Sequence, residues 1–193
     1  MGRTSGRSAE DTKTAIRDAA AALLEQKGVS VSFEEIAAAS GVSKAGVIYH
    51  FNTKRDLWIA LARTVLESFC DQIDAAIDPH DTAPGRFVRA YIAALLAGRD
   101  GEILGHRETT ILETLMQEPS LSDSIAEELR GLTRRLYEDG VPEPVVTLVV
   151  AATDGATLGH EFSGLRVDQV RVLKEQLTEL TRRSQVWALL DGD

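Results

Sequence analysis

A chain of 193 residues, 44% hydrophobic and 26% charged, can bury the core of one or two domains, and its formal charge of −9 excludes a general polyanion binder. The single cysteine, Cys70, rules out an intrachain disulfide and a cysteine-only metal site. No uninterrupted apolar run nears the roughly 18 residues that span a bilayer, and Glu10, Asp11, Lys13, Arg17 and Asp18 interrupt any signal-peptide segment, so a cytoplasmic location is expected.

Residues 1–9 are small and polar, with Arg3 and Arg7, and read as a flexible basic arm. Such an arm either lies along DNA phosphates or the minor groove, or does nothing. From Thr12 to Gln26, Ile16, Ala19, Ala20, Leu23 and Leu24 recur at helical spacing, and Lys27-Gly28 closes the helix. Ser32, with Glu35 three positions on, forms a capping box for a second helix. Gly41 ends that helix where a left-handed residue is needed. Ser43 caps a third helix in which Val47 and Phe51 face inward together, leaving Lys44, Ala45, Tyr49 and His50 on its other sides. A short helix that is apolar inside and polar at its exposed start fits a DNA major groove. On caps and periodicity alone, a plain αα-hairpin packing unit remains an equal reading.

Thr53 with Asp56 caps a longer helix from Lys54 to about Ile77, with Leu57, Leu61, Val65, Phe69 and Ile73 along one face. Asp78–Gly85 is rich in turn residues. Helices are expected over Arg86–Ala97, Glu102–Gln117 and Ser120–Asp139. The segment Pro144–His160 opens on a β-branched run that suits a strand. Its length, and small residues spaced four apart at Ala151, Gly155 and Gly159, predict a helix that another helix can approach closely. A last helix over Val167–Leu190 carries the stripe Val170, Leu173, Leu177, Leu180, Ser184 and Trp187, able to pack internally or against a twin. Charge is uneven: residues 1–63 hold nine Lys/Arg against seven Asp/Glu, net +2, while residues 64–193 are net −11. Contact with nucleic acid would therefore be local to the N-terminal part.

The stretch from Thr12 to Phe69 resembles the DNA-binding domain of the tetracycline-repressor (TetR) family. The marks are Ile16-x-x-Ala19-Ala20, Gly28, Ile36-Ala37-x-x-Ser40-Gly41-Val42-Ser43, Tyr49-His50-Phe51 and Lys54-x-x-Leu57. They cover about the first third of the chain; the remainder agrees in length and helical character. The resemblance implies an all-α homodimer, with a helix-turn-helix DNA-binding domain over 10–53 after the arm at 1–9. Residues 54–193 would then supply a linking helix and a larger effector-binding and dimerisation domain. It further implies that the two C-terminal helices pair across the dimer axis, and that a small effector weakens binding to double-stranded operator DNA. No cofactor is expected, and no membrane partner.

Carried over by position, Lys54 meets a phosphate at the start of the linking helix, Tyr49 and His50 contact the backbone, and Ser43, Lys44, Ala45 and Gly46 stand where the recognition helix enters the groove. Gly46 and Ile48 depart from the polar and aromatic residues many members carry there, so readout through DNA shape gains weight. Two such domains in a symmetric dimer call for a near-palindromic target. Effector pockets are mostly apolar with a few polar groups; the candidates here are Phe69, Ile73, Tyr91, Leu95, Leu104, Arg107, Thr110, Ile111 and Met116. An enzyme is not expected, because His50, His80, His106 and His160 are scattered and no hydrolase, zincin or phosphate-loop motif occurs. The remaining alternative is an effector-independent helical DNA-binding or protein-interaction module, whose melting would not respond to metabolites.

Overall fold

The computed structural model describes residues 8–97, 106–158 and 164–187. The expected arm over 1–7, Leu104, His160 and the end of the last helix over 188–190 lie outside the described residues. In chain order the helices are α1 (Ala9–Lys27), a 3-10 turn (Gly28–Ser30), α2 (Phe33–Ser40), α3 (Lys44–His50), α4 (Lys54–Ala75), α5 (Arg86–Leu95), α6 (His106–Met116), α7 (Pro119–Tyr137), α8 (Glu143–Leu158), α9 (Val167–Leu180) and α10 (Ser184–Trp187). The fold is all-α, with no strand among the described residues. The helix begins earlier than expected at the N-terminus. Ser8 and Asp11 form a capping box, each side chain bonding the other's backbone N–H at 3.0 Å, so Ser8 and Ala9 belong to α1 and not to the arm.

The chain divides into two compact units. The first holds the residues through Leu66 together with Arg107–Glu128, and the second holds Glu67–His106 and the residues from Leu129 on, so α4 and α7 contribute to both. In the first unit the apolar stripes find their core as the periodicity dictates: Ile16, Ala20 and Leu24 of α1, Ile36 of α2, Val47 of α3, and Leu57 and Leu61 of α4 are all buried.

In the second unit Phe69 and Ile73 of α4 join Phe87, Val88, Tyr91, Ile92 and Leu95 of α5, Val145, Val146 and Val149 of α8, and Leu177 of α9 in one core. The β-branched run of α8 is thus buried on a helix, which tertiary packing favours over its strand propensity. Val170, Leu173 and Leu180 of α9, and Trp187 of α10, pack half-buried on the same core. The last helix stops sooner than expected. Thr181 turns its hydroxyl back to the Thr178 carbonyl at 2.7 Å, which competes with continued helix, and α10 restarts at Ser184.

Two long-range clasps order this unit. Gly85, at φ +85°, precedes α5 and has no side chain to cap it. Asp139 does so instead, its carboxylate accepting the N–H groups of Phe87 and Val88 at 2.7 and 2.9 Å and its carbonyl that of Gly85 at 2.7 Å. One turn further on, the buried Arg89 places all five guanidinium N–H groups. Asp81 takes two at 2.6 and 2.9 Å, and the carbonyls of Ala83 and Pro84 and the Thr181 hydroxyl take the others. The guanidinium holds the Asp81 carboxyl below its usual range.

Candidate nucleic-acid interface and effector core

The α2–α3 pair is fixed by short-range capping. Glu35 accepts the Ser32 N–H at 2.9 Å and hydroxyl at 2.8 Å, and Ser32 Oγ accepts the Glu35 N–H. The Lys27 ammonium, 2.6 Å away, and then the Ser32 backbone hold the Glu35 carboxyl down to about 2. Gly41, at φ +67°, turns the chain between the helices, and Ser43 caps α3 by accepting the Gly46 N–H at 3.1 Å. With Val47 and Phe51 buried, α3 presents Lys44, Ala45, Ile48 and Tyr49 outward. Tyr49 is 82% exposed and Ile48 40%. The Tyr49 ring stands edge-on to that of the half-buried His50, with centroids 5.2 Å apart.

Three features were not read from the sequence. A Cβ at Gly46 would lie 2.8 Å from the Val42 Cγ1 methyl, so this glycine lets α3 close on its own turn whatever it allows toward DNA. The exposed side chain of Ile48 was noted only as a departure. Its outward direction follows from the inward Val47 and Phe51, since residues 44, 45, 48 and 49 form the complementary face. Lys44 is ion-paired with Glu34 of α2, which lowers the Glu34 carboxyl.

The basic side chains of residues 8–63 are mostly committed. Lys13 and Arg17 meet Glu10, Lys27 meets Glu35, and Arg63 meets Glu128. Arg55 donates to the Ser120 carbonyl at 3.2 Å and the Ser124 hydroxyl at 2.6 Å. Among the Lys and Arg side chains of residues 8–63, Lys54 alone has neither an ion pair nor a hydrogen bond. It is the exposed first residue of α4, next to the reciprocal Thr53–Asp56 cap at 3.1 Å. An uncommitted ammonium beside a helix N-terminus suits a phosphate.

The nine effector candidates do not share one unit. Phe69, Ile73, Tyr91 and Leu95 lie buried together in the second core. Thr110, the buried Ile111, the 44% exposed Met116, and Arg107, ion-paired with Glu25, belong to the first unit. Leu104 lies outside the described residues. Sequence reasoning did not find the partner of Asp154: its carboxylate accepts the hydroxyl of Tyr91 from α5, a contact across 63 positions. Burial raises both the Asp154 carboxyl and the Tyr91 hydroxyl above their ordinary ranges.

Residues 16–61 match the family described as bacterial regulatory proteins, tetR family, and residues 85–182 match the tetracyclin repressor-like C-terminal domain. The fold is similar to that of the multidrug binding protein EbrR complexed with malachite green, with 26% identity and a TM-score of 0.67 over 87% of this chain and 96% of that one. The same protein complexed with proflavin gives 27% identity and a TM-score of 0.57 over 88% and 99%. A transcriptional regulator from Aquifex aeolicus VF5 shares the fold at 18% identity, with a TM-score of 0.59 over 87% and 96%. No curated protein matches the chain closely enough to count as a relative. A helix-turn-helix with its outer face bare, joined to a helical second unit, defines a DNA-binding transcription regulator. The chain belongs to the tetR family of bacterial regulatory proteins. Proteins of this family are transcription factors that bind operator DNA and dimerise.

Proposed function

We propose that the protein is a homodimeric repressor, released from a near-palindromic operator when a small effector occupies the core of its second unit. The observation that carries the reading is the bare outer face of α3 beside an uncommitted Lys54. In this reading Lys54 binds a phosphate, Tyr49 and His50 the backbone, and Ser43, Lys44, Ala45 and Gly46 line the approach of α3 to the groove. Lys44 exchanges Glu34 for a guanine O6 or N7, and Ile48 offers an apolar contact to a thymine methyl.

The dimer is built from α8 and α9. Supporting this, α8 leaves Leu148, Ala151 and Gly155 exposed, and a Cβ at Gly155 would meet nothing within 4 Å. The apolar stripe of α9 packs partly on the chain's own core, and the outward Val167 and Val172 with the surrounding charges add to its contribution to the pair. EbrR, at 26–27% identity, takes malachite green and proflavin; an aromatic effector in the second unit of this chain follows the same pattern. Occupancy would favour a dimer whose recognition helices no longer match successive grooves, with a coupling of about 1–3 kcal/mol.

The test is fluorescence anisotropy on the duplex flanking the protein's own gene, with proflavin as the effector probe. Release of the duplex at concentrations that also raise the melting temperature supports the reading. Tight duplex binding that no aromatic probe disturbs would favour the effector-independent module.

A further inference from the structure

The second unit holds a carboxylate that its own fold leaves poorly served. Asp154 sits on α8 between the half-buried Val150 and Thr157, and is itself half-buried. Among the described residues its one hydrogen-bond partner is the Tyr91 phenol, and no Lys or Arg pairs with it. Tyr91 is 4% exposed, and its ring packs edge-on against Phe69 with centroids 6.2 Å apart. Beside Asp154, Thr153 is fully buried and its Oγ1 has no hydrogen-bond partner.

An ionised carboxylate accepts about four hydrogen bonds, and one partly withdrawn from water ordinarily gains a cation or several N–H groups. A single neutral phenol satisfies neither need. An uncharged residue of the same shape would serve the core at least as well, so the acid is explained by something that comes to it. An anion would be repelled, and a neutral donor would leave the charge in place. A metal ion would need several oxygens, and no group of three His, Cys, Asp or Glu able to hold one occurs among the described residues. The second unit, residues 67–106 and 129–193, holds 11 Lys/Arg against 17 Asp/Glu, and this net charge of −6 also draws cations toward it.

We propose that Asp154 and Tyr91 anchor an organic cation as the effector, the carboxylate supplying the counter-charge and the Tyr91 and Phe69 rings an aromatic flank. Thr153 Oγ1 supplies a further polar contact. The inference rests on the reading that the second unit takes a small effector, and it names that effector's charge class and its anchor.

The experiment is isothermal titration of the full chain with two probes of one shape: 9-aminoacridine, a cation at neutral pH, and acridone, which is uncharged. The wild type binds the cation at least about ten times more tightly. Asp154→Asn keeps the acceptor for Tyr91 and weakens the cation about 10- to 100-fold, the range for a hydrogen bond to a charged group, while acridone stays within about threefold. Tyr91→Phe removes the neutral competitor and leaves cation binding intact or tighter. Melting of Asp154→Asn at or above the wild-type temperature confirms that the fold is intact. Equal affinity of the wild type for both probes overturns the proposal and needs no variant, as does undiminished cation binding by Asp154→Asn. If acridone alone binds and releases DNA, the cation anchor fails and the effector reading stands. If neither probe binds nor any uncharged aromatic shifts melting, both fail.

Discussion

Replacing Arg89 by alanine should destabilise the second unit and leave the first nearly untouched. The guanidinium has no unused donor, and its side chain is 5% exposed beside the 10% exposed Asp81. Removing it strands the carboxylate, two carbonyls and the Thr181 hydroxyl. Breaking a buried ion pair costs about 3–5 kcal/mol. The lower end applies, because the Arg182 guanidinium, 3.4 Å from Asp81 and itself half-exposed, remains. About 3 kcal/mol in a chain of this size lowers the melting temperature by about 6–12 °C. Calorimetry should show the loss in one transition, since the clasp lies wholly within one of two compact units. Arg89→Lys keeps the charge but not the five-donor fork, and should fall between. The sign with pH follows from Asp81, whose folded carboxyl is depressed below its unfolded range. The wild-type advantage is complete above the unfolded value of about 3.9 and shrinks as pH falls through the folded one. A loss below about 1 kcal/mol at neutral pH, or a penalty that grows on acidification, would refute the reasoning.

Three further outcomes are expected. Lys54→Ala should weaken binding to all duplexes and flatten the salt slope by about one unit, measured by anisotropy between low and moderate salt; a sequence-selective loss at unchanged slope would contradict a phosphate role. Gly46→Ala and Gly131→Ala are the same change in two helices and should have opposite signs. At Gly131 a Cβ meets nothing within 4 Å, and stability rises by up to about 1 kcal/mol on helix propensity. At Gly46 it meets Val42 at 2.8 Å and Ser43 Oγ at 3.2 Å, overpacking costs about 1–3 kcal/mol, and operator affinity falls with it. Glu35 is held near 2, below its unfolded value of about 4.3, so its stabilisation of α2 is complete above that value and lost as pH falls toward 2. Glu35→Gln should flatten the acid unfolding curve in that window, read by circular dichroism.

What could be read from the sequence was what lies within four residues of itself. Ser32 with Glu35, Gly41, Ser43, and Thr53 with Asp56 each signal a helix end by local chemistry, and each stands where it was expected. The Ser8–Asp11 box is equally local; the surrounding Gly/Ser-rich composition hid it behind the reading of an arm. The clasps of the second unit carry no such signal. Asp139 caps a helix that begins some 52 positions earlier, Arg89 reaches Thr181 across 92, and Tyr91 meets Asp154 across 63. Periodicity showed that α9 had an apolar stripe but gave no means of telling which of its residues the chain's own core would take: Leu177 is buried there, and Val170, Leu173 and Leu180 pack on it half-buried. On the DNA side, the inward Val47 and Phe51 pointed to Lys44, Ala45 and Tyr49 as outward, while the exposure of Ile48 and the half-burial of His50 came only with the structure. The uncommitted state of Lys54 became visible only once the partners of its neighbours were placed.

The central claim is that the bare outer face of α3 reads paired bases twice in a symmetric dimer. Its most direct measurement is competition anisotropy: a labelled duplex from the protein's own promoter region against random duplex, at about 0.1 M salt, with the protein's mass followed in the same solution. The account predicts a dimer that prefers the promoter duplex by at least about a thousandfold and loses that preference when Lys44 and Tyr49 are both alanine. A monomer that binds both duplexes alike would contradict it.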